Sequence, residues 1–235
     1  MSSSRPTITP RALLRAAGLA AVAAGGLFIL IQFIHPHEHA ANVATTRWQV
    51  THLLSMVMAV LAVVGLTGMY LRQVERIGVL GLLAYLLFAA NFLAIFAWTF
   101  LEALVLPLLV PQVPRFVDDI IAIPGGGTVV GDVGALPVVN AAAGVGYLLG
   151  GLLFGVAMYR GRTLARWAAL LLSVGTVATI LISVIPHAAA RATAVPVGVA
   201  LAGLGWSLWR DQHLPAPTTV APQPDAGQLT GAGAR

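Results

Sequence analysis

The 235-residue chain contains no cysteine, and all 13 of its basic residues are arginine. The missing thiols exclude disulfides, thiolate metal sites and thiol redox chemistry. The missing lysines exclude Schiff-base chemistry, retinal attachment included, and lysine nucleophiles. Charge of either sign is scarce. Charged residues make up 9% of the chain, against about 25% in a typical soluble domain. The patterns of a phosphate loop, a nucleophile elbow and a zinc protease (G-x-x-x-x-G-K, G-x-S-x-G and H-E-x-x-H) are all absent. These absences point away from an enzyme. A hydrolase using metal-activated water near Glu102 is the weakest of the alternatives.

Apolar length is what the chain has. Hydrophobic residues make up 58% of it, and the mean hydropathy is +0.89. Six apolar segments stand out, at 13–34, 49–71, 77–105, 138–159, 164–186 and 191–209. Several are long enough to span ~30 Å of hydrocarbon. Helix is the expected form, because an isolated strand leaves its backbone polar groups unsatisfied in lipid. The first segment follows arginines, as a signal peptide would. Its 19-residue apolar stretch from Ala16 to Ile34 exceeds the usual h-region of about 7–15 residues, so an uncleaved first span is expected.

The arginines orient the bundle. With the N-terminus inside, ten of them are cytoplasmic and only Arg47, Arg115 and Arg191 lie outside, a strong positive-inside bias. They are scattered over loops, which argues for topology and against nucleic-acid binding. The expectation is an all-α, polytopic membrane bundle of six transmembrane helices with both termini cytoplasmic. Residues 1–12 form a flexible start, 13–210 the transmembrane domain with an outer loop at 106–137, and 211–235 a disordered tail. A short interfacial helix is expected near Phe116–Ile123. Asp118-Asp119 and Gly125-Gly126-Gly127 read as solvated loop.

Two hairpins share a pattern. Gly68-Met69-Tyr70-Leu71-Arg72 and Ala157-Met158-Tyr159-Arg160 each lead through a basic turn into another span, as duplicated units would. The stretch running from Gly150-Gly151 and Gly155 through Tyr159-Arg160 to Arg166-Trp167 also resembles a family of six-span bacterial membrane proteins with no established activity. There a Gly-rich span ends in Tyr-Arg, and Arg-Trp opens the next. The resemblance covers about 140–180, and Ala165 stands where that family has proline. It implies the six-span layout, and with it a bacterial plasma membrane, but no activity.

Depth along each helix gathers the polar residues. His52 lies 20 residues from Arg72, Asn140 lies 20 from Arg160 and His187 lies 21 from Arg166, all about 30 Å at ~1.5 Å per residue. Three spans thus carry a polar residue near the outer boundary. Glu102, 26 residues from Arg76, reaches that layer only if its span tilts. Asn91, Trp98 and Glu102 follow one helical stripe, and Ser173, Thr176, Thr179, Ser183 and His187 form a hydroxyl ladder on another span. The expected ligand pocket is therefore His52, Asn91, Glu102, Asn140, Thr176, Thr179, Ser183 and His187. It would take a small solute, a proton or a metal ion, in a transporter-like or sensor-like protein.

Two metal readings compete with this. In extended chain His35, His37 and His39 share a face and could hold Zn or Cu. His52 and His187 could be axial ligands of haem b. The bland alternatives are a polar loop just outside a span, interfacial histidines with hydrogen-bonded partners, and Asn, Ser and Thr serving as interhelical glue. The expected partner is the lipid bilayer. Gly203 and Gly205, with the Gly-rich fourth span, also permit a homo-oligomer.

Overall fold

The computed structural model describes residues 8–179 and 194–212. Ordered structure among them is helical, with no strand. The order is α1 (Pro10–Ile34), α2 (Ala40–Val43), α3 (Thr46–Phe100), a π-turn (Leu101–Val105), α4 (Leu106–Leu109), α5 (Pro114–Ala122), α6 (Leu136–Gly161), α7 (Arg166–Ala178) and α8 (Val195–Asp211). Three stretches are long and apolar enough to cross a membrane: Pro10–Ile34, the 64 residues Thr46–Leu109, and Leu136–Gly161.

Local chemistry sets the ends. Thr9 caps α1 by accepting the Ala12 N–H, and Pro10 supplies the preset φ of a first helical residue. Pro36 follows the last turn and stops the helix. Arg47 then donates from Nε to the Ile34 carbonyl at 2.9 Å, a cation on a free helix C-terminus.

A straight 64-residue helix would run about 96 Å, three times the hydrocarbon thickness. This one folds back at Gly78, whose φ of 55° and ψ of −151° suit only glycine. Tyr70 stacks on Tyr85 at 4.8 Å, Thr67 meets the Tyr85 hydroxyl at 3.0 Å, and His52 meets Glu102. The arms 46–77 and 79–100 are therefore antiparallel.

Glycine seams join the remaining helices. Gly18 and Gly25 of α1 lie against Gly205 and Gly198 of α8, where a Cβ on Gly25 would sit 2.3 Å from the Gly198 carbonyl. Gly65 and Gly68 receive Ala21 and Ala17. Gly150 of α6 lies on Phe88, Gly151 and Gly155 on Thr176 and Ser173 of α7, and Gly203 on Trp167. Each pairing is antiparallel, since the partner numbers fall as the glycine numbers rise. The neighbours close into a cycle from α1 through α3, α6 and α7 to α8 and back to α1. Gly203 and Gly205, expected to permit oligomer packing, are thus covered within the chain. Small residues let backbones approach and replace the hydrophobic drive that lipid cannot supply.

Large apolar side chains such as Leu30, Val57, Leu83, Val145 and Leu170 remain on the outside. That exterior is compatible with lipid contact. The loop after α3 differs from a simple open connection. The helix expected near Phe116–Ile123 is present as α5, but its apolar face turns inward. Val117, Ile120 and Ile121 pack with Ala40, Val43, Trp48 and Leu106 in a small core of their own. It covers the end of the bundle where α1 stops and α3 begins.

Candidate polar site between the arms of α3

Thr45 opens α3 by accepting the Trp48 N–H at 3.3 Å. The helical repeat then puts Trp48, His52 and Ser55 on one face, and all three are buried. On the returning arm the helix widens to a π-turn at Leu101–Val105, where the Leu106 N–H reaches back five residues to the Leu101 carbonyl. In that register the Glu102 carbonyl would take its bond from residue 107, which is proline and has no N–H. Trp48 fills the vacancy, its Nε1–H donating to the Glu102 carbonyl at 2.8 Å. Such π-turns are rare and concentrate at functional sites.

The Glu102 carboxylate has two further neighbours. Trp98 Nε1–H donates to Oε1 at 3.1 Å, and His52 Nε2 lies 3.2 Å from Oε2. This last contact has the distance of an ion pair without the alignment of a hydrogen bond. At the far side of the ring, His52 Nδ1 lies 2.7 Å from the Trp48 carbonyl. A carbonyl only accepts, so Nδ1 carries a hydrogen. A neutral His52 would then leave an unprotonated Nε2 3.2 Å from a carboxylate oxygen, two acceptors side by side. One proton therefore belongs to the pair, on Nε2 or on Oε2. With His52 1% and Glu102 7% exposed, little solvent screens that choice.

The pair faces a cavity of about 340 Å³. Gln32, His35, Glu38, Ser55 and Thr99 add polar lining, and Phe28, Ile31, Met58 and Pro124 apolar lining. His35 donates from Nδ1 to the Pro36 carbonyl at 2.8 Å, and its ring lies 5.1 Å from that of His52. Ser55 and Thr99 donate to carbonyls of their own helix and keep lone pairs for the cavity.

Of the residues expected in a pocket, the structure brings His52 and Glu102 together. The apparent mismatch in depth came from measuring each from a different arginine. They lie 26 residues before and 24 after Gly78, level on the two arms. Asn140 is elsewhere, lining a second, mostly apolar cavity of about 310 Å³ that shares Ile95, Thr99 and Pro124 with the first. Asn91 is buried, its Nδ2 unbonded, and it is not among the residues lining either cavity. Thr176 and Thr179 donate to carbonyls of their own helix, and Thr176 packs on Gly151. Ser173 bridges to the Leu152 carbonyl at 3.0 Å. Of these described hydroxyls, Ser173 alone bonds to a neighbouring helix, and Thr176 and Thr179 bond within their own. Ser183 and His187 lie outside the described residues.

The metal readings fare differently from the pocket. His35 turns toward His52, His37 is exposed, and His39 lies beside a separate cavity with Arg115, Asp118 and Asp119. Among the described residues no three His, Asp or Glu side chains gather as a metal would require. The haem reading pairs His52 with His187, which lies outside the described residues; on His52, Nδ1 is bonded to the Trp48 carbonyl and Nε2 lies 3.2 Å from Glu102 Oε2.

Reading the sequence missed Trp48 as a partner and missed the π-turn. Trp48 stands one helical turn before His52, and Pro107 stands five residues after Glu102. Both spacings were visible, but only contact between the arms gives them meaning. Fold and site together define an all-helical protein with apolar, membrane-compatible helices and a buried His–Glu pair beside a cavity of mixed polar and apolar lining. Comparison with known families, with curated proteins and with solved structures returns no match. The likeness at 140–180 therefore remains one of pattern.

Proposed function

We propose that the chain is a six-span protein of the bacterial plasma membrane whose outward-facing cavity binds a small polar solute through an exchangeable proton on His52 and Glu102. It would act as a transporter-like or sensor-like module. The cycle of antiparallel neighbours supports the six spans, because first and last segments pack directly and an even number is needed for every pair to oppose. The arginine distribution supports cytoplasmic termini. The observation that carries this reading is the contact: His52 Nε2 lies 3.2 Å from Glu102 Oε2 at a cavity wall, while Nδ1 is engaged by the Trp48 carbonyl. Ionisable groups within spans mark ion and substrate pathways.

The test is ¹⁵N spectroscopy of histidine-labelled protein in lipid, with His52 assigned by its loss in His52→Gln. In the parent protein the Nε2 resonance should carry the shared-proton signature and respond to the pH on one side of the membrane. In Glu102→Gln it should revert to the neutral Nδ1–H form. An Nε2 signal identical in both proteins, or insensitive to bulk pH, would sink the proposal.

A further inference from the structure

A second feature lies at the opposite end of the bundle. A cavity of about 270 Å³ sits between the Gly78 turn and the last turns of α6, lined by Arg76, Ile77, Val79, Leu80, Ala157 and Arg160. Two other arginines near this end are already engaged. Arg72 donates to Asp211 at 2.6 Å, and Arg166 lies over the Tyr159 ring at 4.0 Å. Arg76 makes only long contacts, 3.5 Å to the Gly161 carbonyl and 3.4 Å to Thr163 Oγ1, and these leave its charge unneutralised. Arg160 has no hydrogen bond, ion pair or ring contact among the described residues, and no carboxylate there pairs with either guanidinium.

Two cations share one cavity with apolar side chains. Val79, on its wall, is 73% exposed, so that wall is continuous with the apolar exterior. Tyr159, Trp167 and Trp206 are exposed near the same end, as residues at headgroup level commonly are. A ligand matching this surface is anionic at one end and apolar at the other. Guanidinium forks suit phosphate oxygens, and basic pockets between membrane helices bind anionic headgroups.

We infer that Arg76 and Arg160 bind the phosphate of an anionic phospholipid, with its glycerol and first methylenes along Ile77, Val79 and Leu80. This site stands apart from the His52–Glu102 cavity and from any function assigned there.

The full chain is purified with phosphatidylglycerol and phosphatidylcholine in equal amounts, and retained lipid is measured by native mass spectrometry. Phosphatidylglycerol should be retained preferentially. Arg76→Gln and Arg160→Gln should each reduce that preference about fivefold. The lysine variants Arg76→Lys and Arg160→Lys should fall between. Arg162→Gln, on an exposed arginine outside the cavity, should match the parent, and helix content by circular dichroism should be the same throughout. Thermal unfolding in detergent should rise with phosphatidylglycerol and not with inorganic phosphate. Equal retention of both lipids, an unchanged preference in the double Gln variant, or equal stabilisation by inorganic phosphate would overturn the inference. The last result would indicate a site for free phosphate.

Discussion

Glu102 is held at three points: its carbonyl by Trp48, Oε1 by Trp98 and Oε2 by His52. Each has a separate physical reason. The carbonyl needs Trp48 because Pro107 cannot donate, and the buried carboxylate needs the Trp98 N–H and the His52 ring beside it. Trp48→Phe keeps a ring against His52, 4.3 Å away in the parent, but orphans the carbonyl. The expected loss is about 1–3 kcal/mol, the penalty for a buried acceptor without a donor. Thermal unfolding in detergent would reveal it, and an unchanged midpoint would mean the π-turn finds another donor. The same holds for the pair itself. Removing one member of a buried pair is strongly destabilising, by about 3–5 kcal/mol, whereas removing both is often nearly neutral. Glu102→Leu should therefore lower the midpoint more than His52→Leu with Glu102→Leu together, and the reverse order would argue against a coupled pair.

Among the elements, α3 governs the site. Its two arms meet because Gly78 takes a backbone conformation closed to other residues, and a Cβ there would touch nothing within 4 Å. Gly78→Ala thus isolates backbone strain from crowding and should cost about 1–3 kcal/mol. Gly26 offers the control. It lies within α1, with open space around a Cβ as well, and Gly26→Ala should stabilise by about 0.5–1 kcal/mol. Equal effects of the two changes would show that the turn carries no strain. The hairpin formed by α6 and α7 turns differently, with Arg162 left-handed at the cap (φ 57°). The shared Tyr-Arg pattern thus serves different roles: Tyr70 stacks on Tyr85, while Tyr159 receives Arg166.

At the scale of the whole molecule, the proposed six-span arrangement places the α3 turn and residue 128 on opposite sides of the membrane. The absence of cysteine makes this directly measurable, since any introduced thiol is unique. Thr128→Cys and Glu75→Cys both fall at exposed positions. In intact cells a membrane-impermeant thiol reagent should label the first and leave the second until the membrane is opened. Labelling of both from outside would require a different number of crossings.

The sequence by itself determined the helical class and the apolar exterior, because hydropathy is a local property. Helical rise ranked the polar residues by depth, but the level of Glu102 with His52 needed the position of the Gly78 turn. It also made His52 and Glu102 candidates, through the expense of burying such groups in apolar spans. Tertiary structure alone decided which candidates meet. Asn91, Asn140 and Thr176 lie at plausible depths, yet depth leaves the rotation of each helix open, and rotation is set by the glycine seams. The Trp48–Glu102 bond joins residues 54 positions apart, and no periodicity within one helix encodes it. It exists because a single glycine reverses the chain and a proline, one π-step away, leaves a carbonyl needing a donor.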